Sequence, residues 1–347
     1  MSGGRIRDMK ALRIPKDGVL ETVELPSPVN GKTEVLLRIM YVGFCGSDLN
    51  TFLGRNLMAK PQVIPGHEIG AVIESVGSDV PDFLKPGMKV TVNPYTSCGT
   101  CPSCRNGRPN ACRNNQTLGV QRDGAMREFM VVPWNKVIPA EKLSLQECAL
   151  VEPMSVGFHA VSRAAVTDSD TVMVIGCGMV GLGAVVRASL RGAKVIAADI
   201  DEEKLSIARS MGANYTLDTK SADFHQQLLD ITAGNGPDVV IEAVGSPVTY
   251  RMAVDEVAFT GRVTCIGYSK TDVTFETRLF VQKELDIRGS RNAMPMDFEA
   301  VIRYLERGTC PVDRLITRIV KPENSQDSME YWASNPGKVF RILADFT

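Results

Sequence analysis

The chain has 347 residues, a net charge of −1, and a composition that is 44% hydrophobic and 23% charged. This is ordinary globular make-up at a length suited to about two domains, which excludes a disordered or collagen-like chain. The near-neutral balance supplies no long-range field for nucleic acid or an anionic membrane. No apolar run approaches the roughly 18 residues of a membrane span. The N-terminal stretch Met-Ser-Gly-Gly-Arg-Ile-Arg-Asp carries basic residues but no apolar signal core, so a cytoplasmic chain is expected.

In chain order, residues 34–39 (leading into 41–42), 71–76, 88–92 and 129–132 read as short strands bounded by Gly and Pro turns. That pattern predicts an all-β domain of barrel type over the first 150 residues. Near residue 153 the texture changes. Strands are expected at 171–175, 194–199, 238–243, 262–266 and 285–289, with helices at 179–191 and 203–211 between the first of them. Buried strands alternating with helices mean a parallel sheet covered on both faces, an α/β domain. A helix is expected at 298–307. Strands at 314–317 and 339–343 then return to the β-rich domain and make it discontinuous.

Gly176-Cys177-Gly178-Met179-Val180-Gly181 directly follows a predicted strand and opens a predicted helix. An acid, Asp199, ends the next strand 23 residues after Gly176. This is the context of a dinucleotide fingerprint. Gly176 permits the tight turn, Gly178 lets a pyrophosphate approach the backbone, and Gly181 lets the helix lie close on the sheet. The N–H groups at the helix start attract the phosphates. Asp199 would accept from the adenosine ribose hydroxyls, or it could serve only as a strand-end cap. No Arg follows it to meet a 2′-phosphate, which predicts NAD over NADP. Val244, Ile266 and Gly267, near the ends of later strands, complete the expected cofactor-binding set.

Four of the nine cysteines, Cys98, Cys101, Cys104 and Cys112, fall within fifteen residues. Their spacing suits four thiolates around one closed, structural Zn²⁺ better than disulfides in a chain without a secretory signal. A dispersed set remains: Cys45 in a turn after a strand, His67 and Glu68 after Pro65-Gly66, and Glu152 before Pro153. Pro153 predicts an extended Glu152 at the head of a helix. Thiolate, imidazole and carboxylate suit a catalytic Zn²⁺ with an open position. His159 and His225, the other two residues of a histidine count of three, read as structural.

In this order, Gly43-Phe44-Cys45-Gly46-Ser47-Asp48, Gly66-His67-Glu68, Cys98 to Cys112, Val151-Glu152-Pro153 and Gly176 to Gly181 resemble the zinc-containing medium-chain dehydrogenase/reductase family. The resemblance spans essentially the whole chain. It implies a GroES-like β-barrel catalytic domain (1–153), a Rossmann doubly wound parallel sheet that binds NAD (154–290) and a C-terminal return to the catalytic domain (291–347), with the active site in the cleft. It also implies two zinc ions per chain and ligation by Cys45 and His67, with Glu68 and Glu152 competing for the third position.

Residues 151–160 look like the sorbitol (polyol) dehydrogenase branch. Residues 118–124 and 289–295 look like bacterial sugar-acid 5-dehydrogenases of the L-galactonate or L-gulonate type. Asn50 stands where liver-type members carry a relay His, so the proton must leave by another path. The implied reaction moves hydride from a secondary hydroxyl of a hexonate or polyol to NAD, with Ser47 taking the alcohol proton. Arg291 and Arg122 are candidate forks for a carboxylate, and Asn292 and Glu152 are candidate hydroxyl contacts. The competing expectations are an L-threonine 3-dehydrogenase, a sorbitol/galactitol dehydrogenase, and a catalytically silent regulatory member of the fold. The family implies a homodimer or homotetramer paired through the Rossmann sheet edge, with the strand at 262–267 and the segment after it as its carriers. The small-molecule substrate is the only other expected partner.

Overall fold

The computed structural model describes residues 8–347; residues 1–7, read above for a targeting signal, lie outside them. The described residues form fifteen strands: β1 Asp8–Lys16, β2 Val19–Pro26, β3 Glu34–Phe44, β4 Glu68–Val76, β5 Lys89–Val92, β6 Phe129–Pro133, β7 Val137–Pro139, β8 Thr171–Ile175, β9 Lys194–Asp199, β10 Tyr215–Asp218, β11 Val239–Glu242, β12 Arg262–Cys265, β13 Asp286–Gly289, β14 Ile316–Val320 and β15 Arg341–Asp345. The chain divides into two units. Of the described residues, the first takes those up to Glu152, Ile302–Gly308 and Val312–Thr347, and the second Pro153–Val301 and Thr309–Pro311.

In the first unit a seven-stranded sheet runs β14-β15-β3-β4-β5-β7, with β6 also paired to β3, beside the β1-β2 hairpin. Alternation in β3 buries Val35, Leu37 and Ile39, and past a register shift between Ile39 and Tyr41 Val42 is buried too; these join Ile69, Ala71 and Ile73 of β4 in one core with Trp332 and Ile342 of the C-terminal segment. The alternation works because a strand turns successive side chains to opposite faces. β15 pairs antiparallel with β3, so the last strand of the chain belongs to the first unit.

In the second unit six parallel strands run β10-β9-β8-β11-β12-β13. The nearly continuous apolar runs of β8 and β9 are buried, as expected for strands covered on both faces. The order reverses between β8 and β11, which makes a crevice at the carboxyl ends of those two strands.

Three expectations need correction. Residues Arg314 and Leu315 belong to the helix Val312–Leu315, and the strand starts only at Ile316. The run is too short for its period to separate helix from strand. The strand at Arg262–Cys265 is interior, flanked by β11 and β13, so its backbone groups are already paired; the edge strand on that side is Asp286–Gly289. The last stretch of the second unit runs to Val301 on the helix Pro295–Leu305, where Asp297 is bound to His159 at 2.8 Å. Finally, Pro153 does not start a helix. It sits inside the helix Leu145–Arg163, where burial of Leu150, Val151, Met154 and Phe158 outweighs the lost hydrogen bond.

Candidate active site

The Sγ atoms of Cys98, Cys101, Cys104 and Cys112 lie within 4.8 Å of one another. Cys98 to Cys112 is 3.5 Å, Cys101 to Cys104 3.6 Å and Cys101 to Cys112 3.8 Å. A tetrahedron of sulfurs around zinc at ~2.3 Å has edges of about 3.8 Å, whereas a disulfide is ~2.05 Å. The donor set and its spacing therefore fit zinc. Backbone N–H groups of Cys98 and Cys101 point at Cys112 Sγ and Cys98 Sγ, which suits thiolates. N–H groups of Thr100 and Cys101 bring the Cys98 thiol down to about 5. Turns at Gly99 and Gly107, both with positive φ, and the short helix Pro102–Arg105 wrap this loop around its cysteines.

The second group is built by sheet register. Gly43 of β3 faces Glu68 of β4, so Cys45, just past β3, meets His67, just before β4. A Cβ on Gly43 would lie 2.1 Å from Glu68 Oε2, so only glycine leaves room for the carboxylate. Donor atoms of Cys45, His67 and Glu68 all lie within 4.8 Å of one another. Asp48 accepts from the Cys45 N–H at 2.8 Å and fixes the start of the helix Gly46–Phe52. Burial pushes the Cys45 thiol up, but the facing His67 outweighs it and brings the thiol down to about 7. Burial also opposes charge on His67, and the Cys45 thiolate outweighs that in turn, holding the imidazole well above its ordinary range. Ser47 Oγ, His67 Nδ1 and Glu68 Oε2 are buried without a hydrogen-bond partner. A sulfur, a nitrogen and an oxygen donor gathered at one end of the sheet, the last two with unmet capacity, fit a catalytic zinc.

Glu152 lies outside this three-donor group, and it projects from the middle of the helix Leu145–Arg163 rather than from a helix head. Its buried carboxylate accepts from the Tyr95 hydroxyl. Burial and Glu152 together push the Tyr95 phenol well up, so it stays a donor. Tyr95 was not legible as a site residue; its only signal is its place three residues before Cys98. Arg341 was missed as well. Pairing of β15 with β3 sets Ile342 opposite Phe44, and Arg341 Nη1 then reaches Glu68 Oε1 at 2.9 Å and the Phe44 carbonyl at 2.5 Å. Burial drives the Glu68 carboxyl well above its ordinary range, and Arg341 pulls against it.

The loop 118–124 clamps the backbone ahead of His67. Gly124 N–H donates to the Ile64 carbonyl at 2.7 Å, Ala125 N–H to Gly66 at 2.9 Å, and Asp123 accepts from Ile64 N–H at 3.1 Å. Arg122, half-buried in that loop, reaches only the Pro94 carbonyl at 3.4 Å, and its Nε has no partner. Arg291 and Asn292 are half-buried in the turn after β13, in the second unit. His159 pairs with Asp297, and His225 with Glu256, each at 2.8 Å.

In the second unit, β8 ends at Ile175 and Gly176 follows it (φ 92°), Gly178 caps the helix Met179–Leu190, and Val180 and Gly181 lie in its first turn. A Cβ on Gly181 would sit 1.7 Å from the Gly176 carbonyl oxygen, so glycine is required for this close approach. Asp199 ends β9. Its Oδ2 accepts from Cys177 N–H at 2.6 Å and its Oδ1 from Ile200 and Asp201 N–H at 2.7 and 3.1 Å. It thus ties the fingerprint loop to the neighbouring strand. Val244, half exposed, lies against Gly176 across the β8/β11 crevice, and Ile266 and Gly267 follow β12 beside it.

Residues 31–142 match the alcohol dehydrogenase GroES-like domain and residues 180–307 the zinc-binding dehydrogenase family. L-galactonate-5-dehydrogenase of Escherichia coli K12 is 35% identical over 304 residues, covering 87% of this chain and 88% of that protein. Sorbitol dehydrogenase of Bacillus subtilis 168 is 33% identical, covering 93% of each. Among solved structures, an alcohol dehydrogenase from E. coli CFT073 complexed with NADH superposes with a TM-score of 0.89 at 28% identity, over 97% of this chain and 99% of that one. A barrel unit with a thiolate–imidazole–carboxylate group and a Rossmann unit with a glycine fingerprint define a zinc-dependent dehydrogenase, and the chain belongs to the zinc-type medium-chain alcohol dehydrogenase family. Within it, the chain stands with the zinc dehydrogenases of polyols and sugar acids. No helix of the described residues is long and apolar enough to cross a membrane.

Proposed function

We propose that the chain oxidises a secondary hydroxyl of a hexonate, such as L-gulonate or L-galactonate, or of a related polyol, to a ketone with NAD as hydride acceptor. The observation that carries this reading is the Cys45–His67–Glu68 group with the unpartnered Ser47 hydroxyl buried beside it. Cys45 and His67, with Glu68 as third donor, would hold the catalytic zinc; Glu152, bound by Tyr95, would meet substrate hydroxyls or exchange with Glu68. Cys98, Cys101, Cys104 and Cys112 would hold the structural zinc. When bound, zinc supplies Lewis acidity that makes an alcohol acidic near neutrality, and NAD supplies the hydride acceptor.

Ser47 accepts the alcohol proton and passes it outward; a hydroxyl can do both because it carries one donor and two lone pairs. Burial of His67, Glu68 and Glu152 keeps bulk water from the reacting carbon. The two carboxylate oxygens of Asp199 have about four acceptor sites, and three are taken by backbone donors, which leaves capacity for a ribose hydroxyl. Its charge would repel a 2′-phosphate, which favours NAD over NADP. Arg291 or Arg122 would bind the substrate carboxylate as a fork.

The test is NADH formation across L-gulonate, L-galactonate, L-idonate, sorbitol, galactitol and L-threonine, each with NAD and NADP, with zinc assayed on the same sample. One aldonate with NAD should give the dominant rate, and Arg291→Ala should raise its KM far more than that of a neutral polyol. Equal effects on both substrates would reject the carboxylate role of Arg291. A dominant rate with sorbitol or L-threonine would reject the sugar-acid reading.

A further inference from the structure

At the carboxyl end of β11 a glutamate is fully buried inside the Rossmann unit, with no ion pair among the described residues. Glu242 has no exposed surface. One of its oxygens, Oε1, accepts three hydrogen bonds: from Val244 N–H at 2.9 Å, Gly245 N–H at 2.7 Å and the Thr249 hydroxyl at 2.8 Å. Its backbone carbonyl accepts two more, from Ile266 N–H at 2.8 Å and Gly267 N–H at 3.3 Å. A single residue thus gathers the turn after β11, the turn after β12 and the first turn of the helix Pro247–Glu256. The packing among them is tight. A Cβ on Gly267 would lie 2.2 Å from Gly245 N, and one on Gly245, at φ 80°, would lie 2.7 Å from the Tyr268 backbone. Tyr250 closes the group by donating to the Gly267 carbonyl at 2.5 Å.

This turn is one wall of the β8/β11 crevice. The opposite wall is the glycine fingerprint, and the two touch where a Cβ on Gly176 would meet Val244 Cγ2 at 2.5 Å. In a doubly wound sheet each three-strand half takes one mononucleotide. The fingerprint and Asp199 belong to the half β8–β10, which takes the adenosine end. The half β11–β13 therefore takes the nicotinamide end, and its first loop is the one that Glu242 holds. Burying an ionised carboxylate is costly unless donors compensate it. Here the donors to Oε1 come from the loop itself and from Thr249, while Oε2 is buried without a partner, so the shape of the loop is tied to that one oxygen.

We propose that Glu242 is a positioning residue for the nicotinamide half of the dinucleotide, acting through the Val244–Gly245 turn. The inference rests on the cofactor reading above. NADH and ADP are titrated against the wild-type holoenzyme and against Glu242→Ala and Glu242→Gln, NADH by its own fluorescence and ADP by competition. Loss of the hydrogen bonds to the turn should raise the NADH Kd of Glu242→Ala by about tenfold or more, with an altered emission of bound NADH. The ADP Kd should stay within about twofold, since ADP lacks the nicotinamide nucleoside. Glu242→Gln, whose amide oxygen still accepts, should fall between wild type and Ala. Equal weakening of both nucleotides, or of neither, overturns the proposal. If Glu242→Ala fails to fold, Thr249→Val removes one donor and leaves the carboxylate, and it should show the same selectivity at smaller size. A wild-type protein that binds neither nucleotide would reject the cofactor reading itself, whereas unselective variants of a binding protein reject only the role of Glu242.

Discussion

Two alanine substitutions in the fingerprint should separate packing from cofactor contact. Gly178 has φ −71° and ψ −178°, a conformation open to any L-residue, and a Cβ there would meet nothing within 4 Å. Gly178→Ala should therefore fold as well as wild type, and the smaller entropy of its unfolded chain should stabilise it by about 0.4–1 kcal/mol. Its cost appears only with cofactor. A methyl at the helix N-cap stands where a pyrophosphate must reach the N–H groups, and displacing one charge-assisted bond costs ~1.5–3 kcal/mol, or roughly 10- to 150-fold in NADH Kd.

Gly181→Ala is the opposite case. Its Cβ would lie 1.7 Å from the Gly176 carbonyl oxygen, against an ordinary contact beginning near 3.4 Å. The helix must move off the sheet by more than an ångström, at a cost of about 1–3 kcal/mol or more in stability. The assays are urea unfolding without nucleotide and NADH fluorescence titration. A Gly178→Ala protein with unchanged stability and unchanged NADH affinity would refute the reasoning, because the glycine would then serve neither packing nor a phosphate.

Cys104→Ser should lower the zinc content from two to one per chain and open the loop 98–112 to protease, since structural zinc supplies ~10–16 kcal/mol of apparent folding energy in small sites; retention of two zincs would reject the four-thiolate assignment. Arg341→Met keeps the side-chain stem but strands the Glu68 carboxylate in a fully buried position. It should cost about 3–5 kcal/mol by urea unfolding, and a loss below about 1 kcal/mol would show that the pair is not what holds β15 to the site. Tyr95→Phe removes the hydroxyl bound to Glu152. It should lose about 1–3 kcal/mol of stability and reduce kcat with zinc content unchanged, and an unaltered kcat would remove Tyr95 and Glu152 from the substrate's surroundings.

What was legible in the sequence was whatever a short stretch of chain settles by itself. The cysteines at 98, 101, 104 and 112 are close along the chain, so turns alone can bring their sulfurs together. The fingerprint is likewise a local strand–turn–helix, and the apolar runs of β8, β9 and β11 declare their burial by composition. The dispersed residues Cys45, His67, Glu68 and Glu152 form a candidate set by their chemistry, and the resemblance singles out Cys45 and His67 among them, which no local spacing could.

The tertiary structure decided the rest. Cys45 and His67 meet because β3 and β4 pair in the register that sets Gly43 opposite Glu68, and a slip of one residue would turn those side chains to opposite faces. Arg341 reaches Glu68 only because the last strand returns to β3, almost 300 residues along the chain. Glu152 shows local preference overruled. A proline predicts a helix start, yet the buried apolar face of Leu145–Arg163 carries the helix through it, and the carboxylate lies mid-helix against Tyr95 rather than within the three-donor group. Local signals report the conformation of a few residues, whereas register, chain return and packing depend on contacts between segments that the sequence keeps far apart.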